Sequence, residues 1–263
     1  MDTPGEEPLG TLVLLLFVDP EPDLDPDLAA LESLGGFFVL RVGAGPAAPL
    51  PSLAQTYENR PSEIYGNTLT FRVEKVAAAL RAPERRIAAS VAQQGLAARL
   101  WSVTLGCAAR YGRIPDLAPG LLRWDPGASA PDDLWLPEVR PLAADPATIA
   151  DVVLHGHLEP LATALRVHHR VAPRLLWGNA ASALAGTARQ LEHWARVQGT
   201  EEAAVRTRSL TAALLAHPLL AGTLTDTLRR RSCCLYYRVP GGGVCGDCCF
   251  IRAPRSSARG SSG

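Results

Sequence analysis

Lysine is nearly absent from this chain, because Lys75 is the only lysine among 26 cationic residues. Acidic residues also number 26, so the formal net charge is zero and there is no excess of positive charge. Nucleic-acid-binding proteins normally show such an excess on one face. The composition therefore argues against a nucleic-acid partner.

Long apolar runs are also missing. The run from Leu12 to Val18 is too short to cross a bilayer, and no other stretch offers about 18 uninterrupted apolar residues. Residues 1–7 are acidic where a secretory signal needs positive charge. We therefore expect no transmembrane segment and a cytoplasmic location, either free or peripheral to the inner face of the membrane. Thiols stay reduced there, which favours metal binding over disulfides.

Familiar catalytic motifs are absent as well. Residues 43–48 are not a nucleotide-binding loop, because Pro46 interrupts the glycines and no Lys-Ser/Thr pair follows. Neither a Gly-x-Ser-x-Gly elbow nor a His-Glu-x-x-His pair occurs. Four histidines fall at spacings that point to different faces of a helix, so we predict structural or solvated roles for His155, His157, His168 and His169.

The pattern that remains predicts an α+β fold that is mostly helical with a small sheet near its first half. Strand candidates span 37–42, 121–124 and 134–136, and residues 43–54 are predicted to be irregular. Capping residues, proline or acidic residues in a first turn indicate helix starts at Pro83, Asp145-Pro146, Glu159-Pro160, Asn179 and Thr200. The helix after Asp145 is expected to reach Val153, and the last helix to stop at Pro218.

Cysteine is scarce until the end of the chain, where five of the six cysteines fall within residues 229–250. Four of them form a Cys-Cys-x10-Cys-x2-Cys pattern: Cys233, Cys234, Cys245 and Cys248. Soft thiolates at this density indicate zinc or an iron–sulfur cluster. Adjacent cysteines fit structural zinc sites poorly, because those sites space their ligands by about two to four residues. An iron–sulfur cluster is favoured, with zinc and disulfides as the alternatives.

A turn should bring the two cysteine pairs together. Residues 240–243 are Pro-Gly-Gly-Gly, a strong turn signal, and residues 235–239 are predicted to be extended. Cys249 is an alternative ligand to Cys248, although the x2 spacing closes the better chelate. Cys107 lies alone in an apolar helical context, so we predict a small buried hydrophobe there.

Glycines and arginines flank the thiols. The glycines leave backbone N–H groups free to approach sulfur, and such hydrogen bonds, with nearby positive charge, raise a cluster's reduction potential. The charge would come from Arg229, Arg230, Arg231 and Arg238. A merely solvated role for these arginines is an equal alternative.

The cysteine pattern resembles the C-terminal motif of the FhuF-like ferric siderophore reductases, where the same spacing holds a [2Fe–2S] cluster. Carried over, the ligands are Cys233, Cys234, Cys245 and Cys248. Residues 94–102 and 175–184 are also similar to this family. The family looks related to the C-terminal domain of siderophore synthetases, which implies a helical fold with a small antiparallel sheet.

The resemblance implies an enzyme that reduces a cytoplasmic Fe(III)-siderophore, of hydroxamate type, by one electron and releases Fe(II). It implies no catalytic residue beyond the cluster. The electron donor would be external, such as a ferredoxin, because no flavin or nicotinamide motif is visible. An iron–sulfur sensor or binding protein without turnover is the alternative.

Three side chains are candidate substrate contacts. Trp177 and Arg99 lie in the stretches that resemble the family, and Arg238 lies within the cysteine motif. Core packing is the alternative for Trp177, and a salt bridge is the alternative for Arg99. By composition the chain divides into a mostly helical domain, a cluster-binding segment and a disordered tail, at residues 1–228, 229–252 and 253–263.

Overall fold

A computed structural model describes residues 28–43, 45–46 and 49–254. The predicted tail lies outside the described residues from residue 255 onward. The helices are α1 to α7, together with one π-helical stretch and two short 3-10 helices. In chain order they are the 3-10 helix Ala30–Leu34, α1 Leu53–Tyr57, α2 Thr68–Leu80, α3 Arg85–Tyr111, α4 Pro146–Ile149, the π-helix Ala150–Leu158, α5 Glu159–His169, α6 Pro173–Gln198, α7 Glu201–Leu215 and the 3-10 helix Tyr236–Arg238.

The core is built around two long helices, α3 and α6, which pack against each other along their length. Their facing surfaces are rich in alanine and leucine, so the two backbones approach closely. The Trp101 indole of α3 is fully buried and donates a hydrogen bond to the Ala180 carbonyl of α6 at 3.1 Å. Helices α2 and α7 cover the flanks of this pair. The predicted mostly helical α+β fold is confirmed.

In the described part of the chain, seven short strands form three small sheets. They are β1 Arg41–Val42, β2 Pro61–Ser62, β3 Gly66–Asn67, β4 Arg113–Pro115, β5 Arg123–Trp124, β6 Leu134–Leu136 and β7 Pro141–Ala143. The predicted strand at 134–136 is confirmed as β6, and of the strand predicted at 121–124 only Arg123 and Trp124 form β5, which pairs with β6 in antiparallel fashion. Antiparallel pairing also joins β2 with β3 and β4 with β7, whereas β1 lies parallel to β6.

The strand predicted at 37–42 is much shorter than expected. Only Arg41 and Val42 pair with β6, because the carbonyls of Phe37 and Val39 accept hydrogen bonds from the Arg99 side chain instead of from a neighbouring strand. Residues 43–54, predicted to be irregular, include the start of α1. Ser52 and Gln55 form a capping box there, which is a recognisable helix signal.

Asp145 begins a helix as predicted, since its side chain accepts hydrogen bonds from the N–H groups of Ala147 and Thr148. The prediction that this helix ends near Val153 is wrong, whereas α5 does begin at Glu159 as predicted. The chain continues through the π-helical stretch into α5 without a break. Pro160 has no N–H to donate, and the wider turn just before it lets the helix pass this position.

Asn179 was expected to cap a helix, but it lies in the middle of α6, fully buried against α3. Helix α6 instead begins at Pro173, after Ala172. Asparagine is favoured at caps because its side chain can replace a backbone partner. Here the Asn179 side chain uses this capacity to form hydrogen bonds with Ser90 on α3. Helix α7 follows Thr200 as predicted and ends at Leu215, shortly before Pro218.

Within the described ranges, none of the helices combines the length and the apolar character that crossing a bilayer requires.

Candidate metal centre

The cysteine motif lies in a compact segment that returns on itself. Residues 235–239, predicted to be extended, instead contain the 3-10 helix Tyr236–Arg238, entered through Leu235 at a φ of 70°. A turn follows, in which the Gly242 N–H donates to the Val239 carbonyl at 2.8 Å. The predicted fold-back is therefore present, although the approach to it is helical, because Leu235 adopts a left-handed conformation.

The fold-back brings the two cysteine pairs together. The sulfur atoms of Cys234 and Cys245 lie 3.8 Å apart. This is about the separation expected for two thiolates held at roughly 2.3 Å on one tetrahedral metal ion. Cys234 and Cys248 are buried, whereas Cys233 and Cys245 are partly exposed. In the described residues no three His, Cys, Asp or Glu side chains are gathered around one metal position.

Backbone N–H groups point at two of the sulfur atoms. The Leu235 N–H donates to Cys233 Sγ at 3.2 Å, and the Phe250 N–H donates to Cys248 Sγ at 3.4 Å. Such bonds stabilise thiolates, the form of cysteine that binds metal. The segment offers four thiols, the number of thiolates that an iron–sulfur cluster needs, and the Cys234 and Cys245 sulfur atoms already approach each other across the fold-back.

The thiols differ in acidity. Hydrogen bonding from Cys233 lowers the pKa of Cys234 to about 5, although burial opposes this shift. The pKa of Cys233 is raised, first because its proton is shared with Cys234 and then by burial. Burial also raises the pKa of Cys245. Burial also raises the pKa of Cys249, and the neighbouring Cys248 adds to the shift.

Helices α3 and α6 hold this segment in place. Ser90 Oγ on α3 donates to the Cys234 carbonyl at 2.8 Å, and Ser232 Oγ donates to the Arg174 carbonyl on α6 at 3.0 Å. Gly178 makes room for the second contact, because a Cβ there would collide with Ser232 Oγ. The cysteines are thus attached to the rigid centre of the fold.

The four arginines near the motif bind the protein itself. Arg229 donates to the Cys248 carbonyl at 2.6 Å, and Arg231 donates to the Leu224 carbonyl at 3.0 Å. Arg230 is buried and ion-paired with Asp247 at 3.0 Å. Arg238 pairs with Glu84, just before α3, at 2.6 Å. Their charge lies near the thiols, as expected, but each guanidinium also holds the segment together.

Sequence reasoning missed the residues that surround Arg230, namely Asn179, Ser182 and Asp247. They contact Arg230 from α6 and from the loop between Cys245 and Cys248. An aspartate between two cysteines predicted to be ligands, with arginines just upstream, was a usable signal for Asp247. Nothing local marks the two α6 residues, because their role depends on a partner about 50 positions away.

Trp177 lies beside the cysteine segment. It is partly buried and lines a cavity of about 260 Å³ together with two exposed arginines, Arg174 and Arg231. The cavity also contacts Ser232, the residue before the cysteine pair. A larger groove of about 780 Å³ lies at the opposite end of α3, near Ala109. At 1.5 Å per helical residue that end is about 28 Å from Ser90, so of these two cavities the smaller one lies nearer the thiols.

Arg99 occupies a different environment. Its side chain is buried and ion-paired with Asp133 at 2.9 Å. It also donates to the carbonyls of Phe37 and Val39, which ties the chain before β1 to α3. A cavity of about 290 Å³ borders it, but most of the guanidinium faces these protein partners. The geometry is that of the salt-bridge alternative, and a substrate contact stays a prediction.

The predicted role of Cys107 is confirmed, since it is fully buried within α3 among the core residues. His157 is also fully buried, and its ring is held between the Tyr57 hydroxyl and the Leu117 carbonyl, at 2.8 and 2.6 Å. His155 is partly exposed and pairs with Glu159. These contacts agree with the structural roles predicted for the histidines.

Two family models match the chain. Residues 91–232, more than half of its length, match the family described as ferric iron reductase FhuF-like transporter. Residues 230–250 match the FhuF 2Fe-2S C-terminal domain, a range that contains all five clustered cysteines. No curated protein matches the chain. The chain therefore belongs to the FhuF-like ferric iron reductase family and carries the [2Fe–2S] C-terminal domain of that family.

Proposed function

We propose that this protein reduces a cytoplasmic ferric siderophore by one electron and thereby releases Fe(II). The observation that carries the proposal is the position of the cavity at Trp177. It borders the same peptide segment that presents Cys233 and Cys234. A chelated iron bound there would lie beside the cysteine site.

The residues that would hold the [2Fe–2S] cluster are Cys233, Cys234, Cys245 and Cys248. Such a group supplies one electron at a time, at a potential that its surroundings adjust. The protein contributes the backbone N–H groups at Leu235 and Phe250, which stabilise negative charge on sulfur. Helices α3 and α6 contribute a fixed frame.

The chemistry of the substrate explains why one electron is enough. Siderophore oxygen donors are hard ligands, which hold the small and highly charged Fe(III) ion tightly. Fe(II) carries less charge and is softer, so the same oxygens bind it weakly. No proton has to be moved by a protein side chain. This agrees with the absence of any expected catalytic residue beyond the cluster.

The cavity offers groups that suit a ferric chelate. The Trp177 indole provides a flat apolar wall, and Arg174 and Arg231 place positive charge at the rim. Chelating oxygens keep partial negative charge that guanidinium groups can bind. We include Arg238 and Arg99 among the candidate contacts, although both are ion-paired within the protein.

The electron donor is external in this proposal, and a ferredoxin is the candidate. A hydroxamate siderophore is the preferred substrate class. The reaction is placed in the cytoplasm, with peripheral association at the inner face of the membrane as an extension of the same proposal.

Turnover on a panel of ferric siderophores tests this function. The purified holoprotein, supplied with an electron donor, should release Fe(II) from at least one hydroxamate complex, and the Cys234→Ser protein should not. Trp177→Phe and Arg174→Ala should weaken binding of that complex by about tenfold, while cluster content stays normal. Unchanged dissociation constants in these variants and in Arg99→Ala would remove the cavity from the proposal. No reduction of any complex would contradict the function itself.

A further inference from the structure

A buried polar network connects the two cysteine pairs through helices α3 and α6. Its six side chains are Ser90, Gln93, Asn179, Ser182, Arg230 and Asp247. Five of them are buried, and the sixth, Asp247, has a side chain that is 15% exposed. Buried polar groups need partners, and here they find them in one another.

Arg230 is the centre of this network. Its Nε lies 3.0 Å from Oδ2 of Asp247, its Nη2 donates to Ser182 at 2.6 Å, and its Nη1 donates to Asn179. The backbone N–H of Arg230 also donates to the Asp247 carbonyl at 2.8 Å. Arg230 and Asp247 are therefore joined by both side chain and main chain. Asp247 stands between Cys245 and Cys248, so this double contact fixes the second cysteine pair.

Asn179 extends the network to the first cysteine pair. Its Nδ2 donates to the main-chain oxygen and to the hydroxyl of Ser90, each at 3.0 Å. The Ser90 hydroxyl in turn donates to the Cys234 carbonyl at 2.8 Å. A continuous set of hydrogen bonds thus runs from Cys234 through two helices to the loop that carries the other two thiols.

Stability alone accounts poorly for a charged pair at this place. Removing two charges from water is costly, and apolar residues of similar volume are often as stable as a buried ion pair. What the pair adds is a fixed orientation of the groups that it binds, because the N–H donors of a guanidinium group have a rigid planar geometry. Arg230 uses three of its nitrogens to bind three different side chains.

We propose that Arg230 and Asp247 are positioning residues, which hold the two cysteine pairs at the separation that the cluster requires. They act through the peptide segments that carry the thiols. The inference rests on the proposed assignment of the four cysteines as ligands. It does not depend on reductase turnover.

A set of three variants separates positioning from folding: Asp247→Asn, Arg230→Met and the two changes together. Each single change leaves the remaining charge of the Arg230–Asp247 pair without its opposite charge, so both the thermal midpoint and the cluster content should fall. The double change removes both charges, and its helical circular dichroism and thermal midpoint should return close to the unmodified values. The double variant should nevertheless lose its cluster to a chelator about ten to a hundred times faster than the unmodified protein does. Its visible circular dichroism spectrum and its midpoint reduction potential should also differ from those of the unmodified protein.

The proposal is overturned if the folded double variant keeps its cluster at the unmodified rate with an unchanged spectrum and potential. If the double variant does not fold, Ser182→Ala is tested in its place, because this change removes one hydroxyl group that contacts both Arg230 and Asp247. We expect a several-fold faster loss from this variant, and unmodified retention would count against the proposal.

The matched control is Glu201→Gln with Arg208→Met, which removes an exposed ion pair on α7. Cluster loss should not change in this protein, and a faster loss would show that the assay responds to ion-pair removal in general. No arm of the experiment measures siderophore reduction. A failure of the reductase proposal would therefore leave this test intact.

Discussion

Cys249 directly follows Cys248 in the chain and is partly exposed. Single Cys→Ser changes test which of these thiols bind the cluster. Cys234→Ser and Cys245→Ser should lose most of the iron and acid-labile sulfide, because one iron then lacks one of its two thiolate ligands. Cys249→Ser should retain both. Retention in the first two variants together with loss in the third would overturn the ligand assignment.

His157 gives a prediction about acid stability. Burial lowers its pKa to about 4, against about 6.5 for an unperturbed histidine, while the Leu117 carbonyl opposes the shift. Since the folded state resists protonation, the stabilising contribution is complete above the unfolded pKa and is lost as the pH falls towards the folded pKa. The free energy of unfolding should therefore drop by about 2 kcal/mol between about pH 7.5 and about pH 5 from this group alone.

The measurement is urea unfolding of the unmodified protein, His157→Gln and His168→Gln at both pH values. His157→Gln should be less stable at neutral pH but should lack this part of the pH dependence. His168 is exposed, so His168→Gln should keep the full dependence. An identical pH dependence in all three proteins would contradict the assigned role of His157.

Among the structural elements, the turn between the cysteine pairs contains three glycines, and two of them, Gly242 and Gly243, have different surroundings. A Cβ at Gly242 would collide with the main-chain oxygen of Tyr236 and lie only 2.9 Å from that of Val239. A Cβ at Gly243 would meet nothing within 4 Å. We predict that Gly242→Ala opens the turn, at a cost of about 1–3 kcal/mol, and lowers the iron content of the purified protein. Gly243→Ala should bind iron normally, and equal iron content in both variants would show that the turn is not a constraint.

The elements themselves were predictable where the signal was local. Asp145 with Pro146, Thr200 with its acidic successors, and the apolar run at 134–136 are all confirmed. The errors arose where a distant partner decided the outcome. Arg99 takes the carbonyls that a longer β1 would have used, and Asn179 bonds across to α3 instead of capping α6. Neither partner is visible in a short window of sequence.

In the candidate site, too, the features with a local signal were predictable and those that depend on distant partners were not. The cysteine spacing and the Pro-Gly-Gly-Gly turn identified the cluster segment and its fold-back. The frame around it comes from Ser90 and Asn179, which lie far from the motif in sequence and carry no signal of their own. Three-dimensional packing was needed to find them. The extended path predicted for 235–239 was wrong, because a positive φ at Leu235 starts a helical turn there.

At the scale of the whole molecule, charge is unevenly distributed. Residues 229–252 contain five arginines and one aspartate, a formal charge of +4, and the neutral chain therefore carries −4 elsewhere. Four thiolates around an oxidised [2Fe–2S] core would add about −2, so this segment would stay positive with the cluster bound. Arg229, Arg231 and Arg252 are exposed. An acidic electron donor such as a ferredoxin should approach this end of the molecule under electrostatic attraction.

Ionic strength tests this charge separation. Raising the salt concentration from about 50 mM to about 200 mM should slow reduction of the protein by a ferredoxin severalfold, since screening shortens the reach of the charges. A neutral small-molecule reductant should show little change. Equal salt dependence for both reductants would remove the electrostatic argument for an acidic donor.

The central claim is that the cluster segment delivers an electron to a chelated ferric ion, and a single-turnover reaction tests it most directly. The holoprotein is reduced without oxygen, freed of excess reductant and mixed with a ferric hydroxamate siderophore in the presence of an Fe(II)-specific chelator. We predict that the visible spectrum returns to that of the oxidised cluster while about one Fe(II) per cluster is trapped. A cluster that stays reduced with hydroxamate, catecholate and carboxylate complexes alike would contradict the account.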